Sequence, residues 1–211
     1  MYIPQHFAES RIEVLHGLMR AHPLATLVTL CGAGIDANHI PLHLSEDAGQ
    51  FGRLQGHVAR ANPVWRNLAA EVEALAIFHG PQGYISPSWY PTKKQHGQVV
   101  PTWNYAVVHA YGTLQVIQDP DWIRNQLEAL TRQSEAALAE PWSIADAPPD
   151  YIERLAAGIV GIEMVITRLS GKWKASQNQP PGNQAGVITG LGEQGAAELA
   201  ALVAERSRNT R

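Results

Sequence analysis

The chain has 211 residues, 45% of them apolar and 17% charged, which suits one globular domain with a real core plus appendages and excludes a disordered chain. A net charge of −3 and a pI near 6.3 give no general attraction to polyanions, and no basic tail or stripe of the nucleic-acid-binding kind is present. Cys31 is the single cysteine, so there is no internal disulfide; with no basic-then-apolar leader and no run long enough to span a bilayer, a cytoplasmic protein away from the membrane is expected.

Ser10 followed by Glu13 has capping-box spacing, and Val14, Leu15, Leu18 and Met19 repeat at helical period, which predicts a helix over 10–21 ended by Pro23. Leu24 to Cys31 is aliphatic and β-branched without helical period and reads as a strand; the CGAG turn then leads into IDANHIPLHL, where Pro41 marks an edge or bulged strand. Phe51 to Ala59 reads as a third strand with Leu54, Gly56 and Val58 inward and Arg53, Gln55 and His57 outward. Asn62 as N-cap and Pro63 at the first helical position predict a short helix to about Ala70.

Ala74 to Phe78 is short and wholly apolar, as a strand buried on both faces would be. The stretch FHGPQGYISPSWYPTKKQHGQVVPTWNYAVVHAYG follows as a central loop. Trp103 to Gln118 then alternates as the longest strand, with Gly112 as the place for a bend. Asp119 and Pro120 repeat the cap-and-proline device and open a helix toward Leu138 with Ile123, Leu127 and Leu130 inward; a short helix near 149–157 and a strand over 159–169 complete the series. Six strands without a βαβ rhythm predict an α+β chain built on a six-stranded antiparallel barrel. One further helix is predicted over 193–206 of the Ala/Gly-rich tail.

Chemistry is carried by rings and cations. The four lysines fall in two pairs, Lys93 with Lys94 among Tyr84, Ser86, Trp89, Tyr90 and Trp103, and Lys172 with Lys174 around Trp173. Apolar walls with a few placed cations suit a planar anionic ligand; a solvated loop capping the barrel end is the structural alternative. His57, Arg60 and the Asn62 helix start could form a phosphate receptor, or Asn62 could merely cap and Arg60 merely be solvated. The nine histidines show no metal-ligand spacing, His39 and His43 lying about 13 Å apart if in a strand. Gly-x-Ser-x-Gly, Gly-x-Gly-x-x-Gly and the P-loop are absent, and what remains suits flavin mononucleotide, a stacking ring system with one phosphate.

MYIPQHF, GHVARANPVW, AIFHGPQGYISPSWY, VPTWNYAVVHAYG and IVGIEMVITRLSGKWKASQNQP together resemble the PaiB family of FMN-binding negative transcriptional regulators, over nearly all of 1–190. The resemblance implies a split β-barrel of the flavin-reductase and pyridoxamine-phosphate-oxidase type, FMN as cofactor, and a homodimer with flavin at the subunit interface. On it we expect an FMN-binding domain over 1–175 with a helical appendage over 176–211, and repression exerted indirectly, since no helix-turn-helix with a basic second helix is seen and direct DNA binding is doubtful. A flavin-dependent oxidoreductase of small molecules is the alternative. Placed on the matched motifs, the expected flavin contacts are His57, Arg60 and Asn62 at the phosphate; Tyr84, Ser86, Trp89 and Trp103 at the ring; and Lys93, Lys172, Lys174 and Gln177 closing from a second segment.

Overall fold

The computed structural model describes residues 1–69 and 72–208. Its strands are β1 (Ala8–Glu9), β2 (Leu24–Cys31), β3 (Gly34–Pro41), β4 (His43–Ser45), β5 (Arg53–Ala59), β6 (Ala74–Ile85), β7 (Thr102–Gly112), β8 (Leu114–Ile117), β9 (Ile159–Val165) and β10 (Arg168–Lys174). Its helices are α1 (Ile12–Ala21), α2 (Thr92–His96), α3 (Pro120–Glu135), α4 (Pro149–Ala156), α5 (Pro181–Glu193) and α6 (Ala197–Arg208). The strands form a six-stranded sheet of order β1-β10-β7-β6-β2-β3 and a four-stranded sheet of order β4-β5-β9-β8. Neither closes on itself, as in a split barrel, and the fold class read from the sequence holds.

The strand count rises from six to ten for local reasons. β3 and β4 separate at Leu42, next to Pro41, whose missing N–H cannot serve a ladder. Gly112 ends β7 where the bend was expected: a Cβ there would lie 2.2 Å from the Val165 carbonyl oxygen. The last predicted strand divides at Ile166 and Thr167 into β9 and β10, which enter different sheets, and β6 runs to Ile85, well into the expected loop.

The chain divides into two compact units, one made of residues 12–78 and 109–169, the other of 1–11, 79–108 and 170–211. In the first, β2 pairs antiparallel with β3 and with the start of β6, while β9 is flanked by β5 and β8. Alternation along these strands buries Ala25, Leu27, Leu54, Val58, Val160, Ile162 and Met164, and α1 adds Leu15, Leu18 and Met19 at helical spacing. α3 lies on β5 and β9. Its start is fixed by Asp119, whose Oδ1 accepts the Asp121 N–H at 2.9 Å, and Trp122 sits where Gly161 has no side chain, 2.4 Å from a hypothetical Cβ. α3 ends at Glu135, a turn before Leu138.

In the second unit β1 pairs with β10 through Ala8–Lys172 and Glu9–Gly171. The tail holds two helices, α5 and α6, where one was expected; the break falls at Gln194–Ala196, with Gly195 at φ 74°. Val187, Leu191, Leu199 and Val203 pack with Ile85, Tyr90 and Ala175 into one apolar cluster. α5 and α6 thus supply much of the buried apolar surface of this unit. Among the described residues no helix is long and apolar enough to cross a membrane.

Candidate functional site

The expected site residues fall in both units, and each unit gives its own set a distinct environment. In the first unit, Asn62 caps as predicted, its Oδ1 accepting the Val64 N–H at 2.9 Å. The helix it starts is a single 3₁₀ turn, Pro63–Trp65, where the sequence suggested a helix to Ala70, a residue outside those described. So short a turn aligns too few peptide dipoles to make an anion receptor of its N-terminus. The Asn62 amide donates to Asn38 Oδ1 at 2.7 Å.

Arg60 is equally engaged. Its Nε donates to the Ala157 carbonyl at 2.9 Å, Nη1 to Gln118 Oε1 at 3.0 Å and Nη2 to the Ile159 carbonyl at 3.0 Å. His57 Nδ1 pairs with Gln126 Oε1 at 2.9 Å, tying β5 to α3. All three side chains therefore bond elements of their own unit together, a role that one strand's alternation pattern could not reveal.

In the second unit the aromatics do gather. Tyr84 on β6 and Trp103 on β7 meet edge to face with ring centroids 6.2 Å apart. They remain 47% and 56% exposed. Tyr105, two residues along β7 on the same side, lies 5.3 Å from Lys172 Nζ on β10. Lys172 also reaches Tyr2, 5.9 Å from its ring and 3.2 Å from its carbonyl oxygen. Lys174 donates to Thr102 Oγ1; burial lowers its ammonium pKa, which Tyr105 opposes and Lys172 reinforces. Tyr105 could have been found from the alternation that pairs it with Trp103, whereas nothing in the sequence points to Tyr2.

Trp89, Ser86, Lys93 and Gln177 support this surface from within the unit. Ser86 Oγ accepts the Ser88 N–H at 3.1 Å and starts the Pro87–Trp89 turn. Lys93 Nζ donates to Ser88 Oγ at 3.0 Å. The Trp89 indole fills a notch in α5: a Cβ on Gly190 would fall 2.4 Å from the ring, and one on Gly186 1.9 Å from the Trp89 carbonyl oxygen. Part of the Trp89 ring is thereby packed against α5. Gln177 closes the turn after β10, accepting from Ala175 N at 2.7 Å and donating to the Trp173 carbonyl. Beside it Ser176 adopts φ 61°, rare for a residue with a side chain, and its hydroxyl accepts from the buried Asn104 amide at 2.8 Å.

Charge separates between the units by sequence. The ranges 1–11, 79–108 and 170–211 hold all four lysines and four arginines, eight basic residues against four acidic ones, while the remaining ranges hold eight basic against fifteen acidic. The exposed rings thus lie in the unit with the excess of basic residues. Among the described residues no His, Cys, Asp or Glu group could hold a metal ion.

A family model described as "Putative FMN-binding domain" matches residues 1–168. The chain is 30% identical over 191 residues to protease synthase and sporulation protein PAI 2 of Bacillus subtilis, covering 90% of this chain and 89% of that one. It is 36% identical over 244 residues to the uncharacterized protein AN0679 of Emericella nidulans, covering 98% and 97%. Among solved structures, the FAD and heme binding protein of Mycobacterium smegmatis has a TM-score of 0.52 at 20% identity, over 78% of this chain and 71% of that one. Flavocytochrome Anf3 of Azotobacter vinelandii has a TM-score of 0.54 at 14% identity, over 82% and 72%. At these identities the two structures speak for the fold, while the family model and PAI 2 span most of the chain. The chain therefore belongs to the PaiB family of FMN-binding proteins, with FMN as its cofactor.

Proposed function

We propose that this protein binds FMN on the exposed aromatic face of its positive unit and acts as a homodimeric negative regulator of transcription by an indirect route. The carrying observation is the juxtaposition of Tyr84, Trp103 and Tyr105 with Lys172. In this reading Trp103 and Tyr84 hold the flavin ring, and Lys172 and Lys174 supply positive charge to its anionic parts. Trp89, Ser86, Lys93 and Gln177 fix the backbone around them, and His57, Arg60 and Asn62 keep their own unit in shape. Bound FMN would contribute electron transfer at its ring, and the side chains bind it, orient it and limit water access. The exposed rings also suit a surface that a second subunit would cover.

Titration of the full chain with FMN, followed by quenching of flavin fluorescence, is the direct test. Saturable quenching is expected, weakened about tenfold or more in Trp103→Ala and several-fold in Lys172→Gln, stacking and charge each being worth roughly 1–2 kcal/mol. Arg60→Gln is expected to lower thermal stability and leave FMN affinity within about twofold. Absence of quenching, or affinity lost through Arg60 and untouched by Trp103, would refute the assignment. The dimer requires a solution mass about twice 23.0 kDa, and the indirect route requires no DNA footprint even at low salt.

A further inference from the structure

A groove of about 510 Å³ opens in the other unit, between the last turns of α3 and the segment that follows it. Its volume is that of a small-molecule site. It is lined by the buried Ile144 and by Pro141 and Trp142, a residue that stays 45% exposed. This lining is preorganised: the Trp142 N–H donates to Glu135 Oε2 at 3.0 Å, and Ser143 is pinned by its backbone N–H to Asp146 Oδ2 at 2.7 Å. Across it α3 presents Glu128, Arg132 and Glu135.

The surrounding charge selects the ligand. Residues 119–156 contain eight carboxylates, Asp119, Asp121, Glu128, Glu135, Glu140, Asp146, Asp150 and Glu153, against Arg124, Arg132 and Arg154 and no lysine. Glu128 meets Arg124 at 3.5 Å, with both side chains about half exposed, so solvent screens that pair and leaves the field negative. An exposed indole in a negative groove is the environment that holds organic cations, through the ring's quadrupole and nearby carboxylates.

We propose that this groove binds a small organic cation, an ammonium carried on an apolar body, with the Trp142 ring as platform and Glu128 and Glu135 as counter-charges. Arg132 then opposes binding, which gives the proposal a signature that general stickiness lacks: removing a carboxylate weakens the complex and removing the arginine tightens it.

Benzyltrimethylammonium serves as the probe, titrated into the FMN-saturated full chain by calorimetry, with the Trp142 indole N–H resonance assigned as the one missing from Trp142→Phe. Saturable one-to-one binding that moves this resonance is expected. Glu128→Gln and Glu135→Gln should each weaken it about fivefold, Arg132→Gln should tighten it about threefold, and benzenesulfonate should leave the resonance in place. Because Glu135 also holds the Trp142 backbone, Glu128→Gln carries the charge test if Glu135→Gln disturbs the fold. No shift at tens of millimolar probe, a shift equal for both probes, or weakening in Arg132→Gln would overturn the proposal.

Discussion

Replacing Glu9 by Ala is expected to destabilise the protein by about 3–5 kcal/mol, the usual cost of removing one partner of a buried ion pair. The Glu9 side chain is 4% exposed and that of Arg206 10%, with Arg206 Nη1 2.6 Å from Glu9 Oε2. Arg11 approaches the same carboxylate, donating Nη2 at 2.6 Å and its backbone N–H at 3.0 Å. Burial alone would raise the carboxyl, but the hydrogen bonds from Arg11, joined by the bond and charge of Arg206, reverse this and hold its pKa at about 2 against an ordinary 4.5.

The sign of the pH dependence follows. With the folded-state pKa depressed, the contribution is fully present above the unfolded value, near 4.5, and is lost as pH falls toward 2. Its size is about 3 kcal/mol at 1.36 kcal/mol per pKa unit. Urea midpoints between pH 6 and pH 3 should therefore drop more in the wild type than in Glu9→Gln, and the two should converge at the acid end. Equal slopes for both proteins, or a loss under 1 kcal/mol in Glu9→Ala, would show that the pair contributes nothing net.

The second large effect is expected at Gly186. A methyl group there would meet the Trp89 carbonyl oxygen at 1.9 Å, and because the obstacle is backbone no side-chain rotation relieves it. Gly186→Ala should cost about 3 kcal/mol, the upper range for overpacking, despite alanine's better helix propensity. Gly182→Ala, on the same helix with nothing within 4 Å, should be neutral or slightly stabilising. Thermal melts of the two variants decide it, and similar melting temperatures would mean that α5 does not seat against Trp89 as described.

These two glycines also show why parts of the chain were legible and others were not. Signals contained in a few neighbouring residues were read correctly: the Asn62 and Asp119 caps, the bend at Gly112, the strand at Leu24 to Cys31. The tail was misread because PGNQAGVITGLGE lacks a polar–apolar helical rhythm. Its Gly186 and Gly190 face Trp89, about a hundred residues earlier, and its buried positions include Asn183 and Gln184. The packing of Trp89 against α5 was illegible for the same reason, since composition cannot say what a ring meets. At the candidate site, alternation along β7 placed Trp103 beside Tyr105. The commitment of Arg60 to two backbone carbonyls and a glutamine depends on residues nearly sixty to a hundred positions away, beyond any local pattern.

The positive unit is woven from the first eleven residues, a middle stretch and the last forty-two, with Glu9 clasping Arg206 across almost the whole polypeptide. During synthesis nothing upstream can complete this unit until its final helix has left the ribosome, so its exposed tyrosines and tryptophan must wait unassembled while the other half is already whole. Folding of this unit then waits on α6 and on the slow closure of its long loops. A fragment stopped at residue 168, where the family match ends, would forfeit β10 beyond its first residue, along with α5 and α6, and should be left to proteases and chaperones.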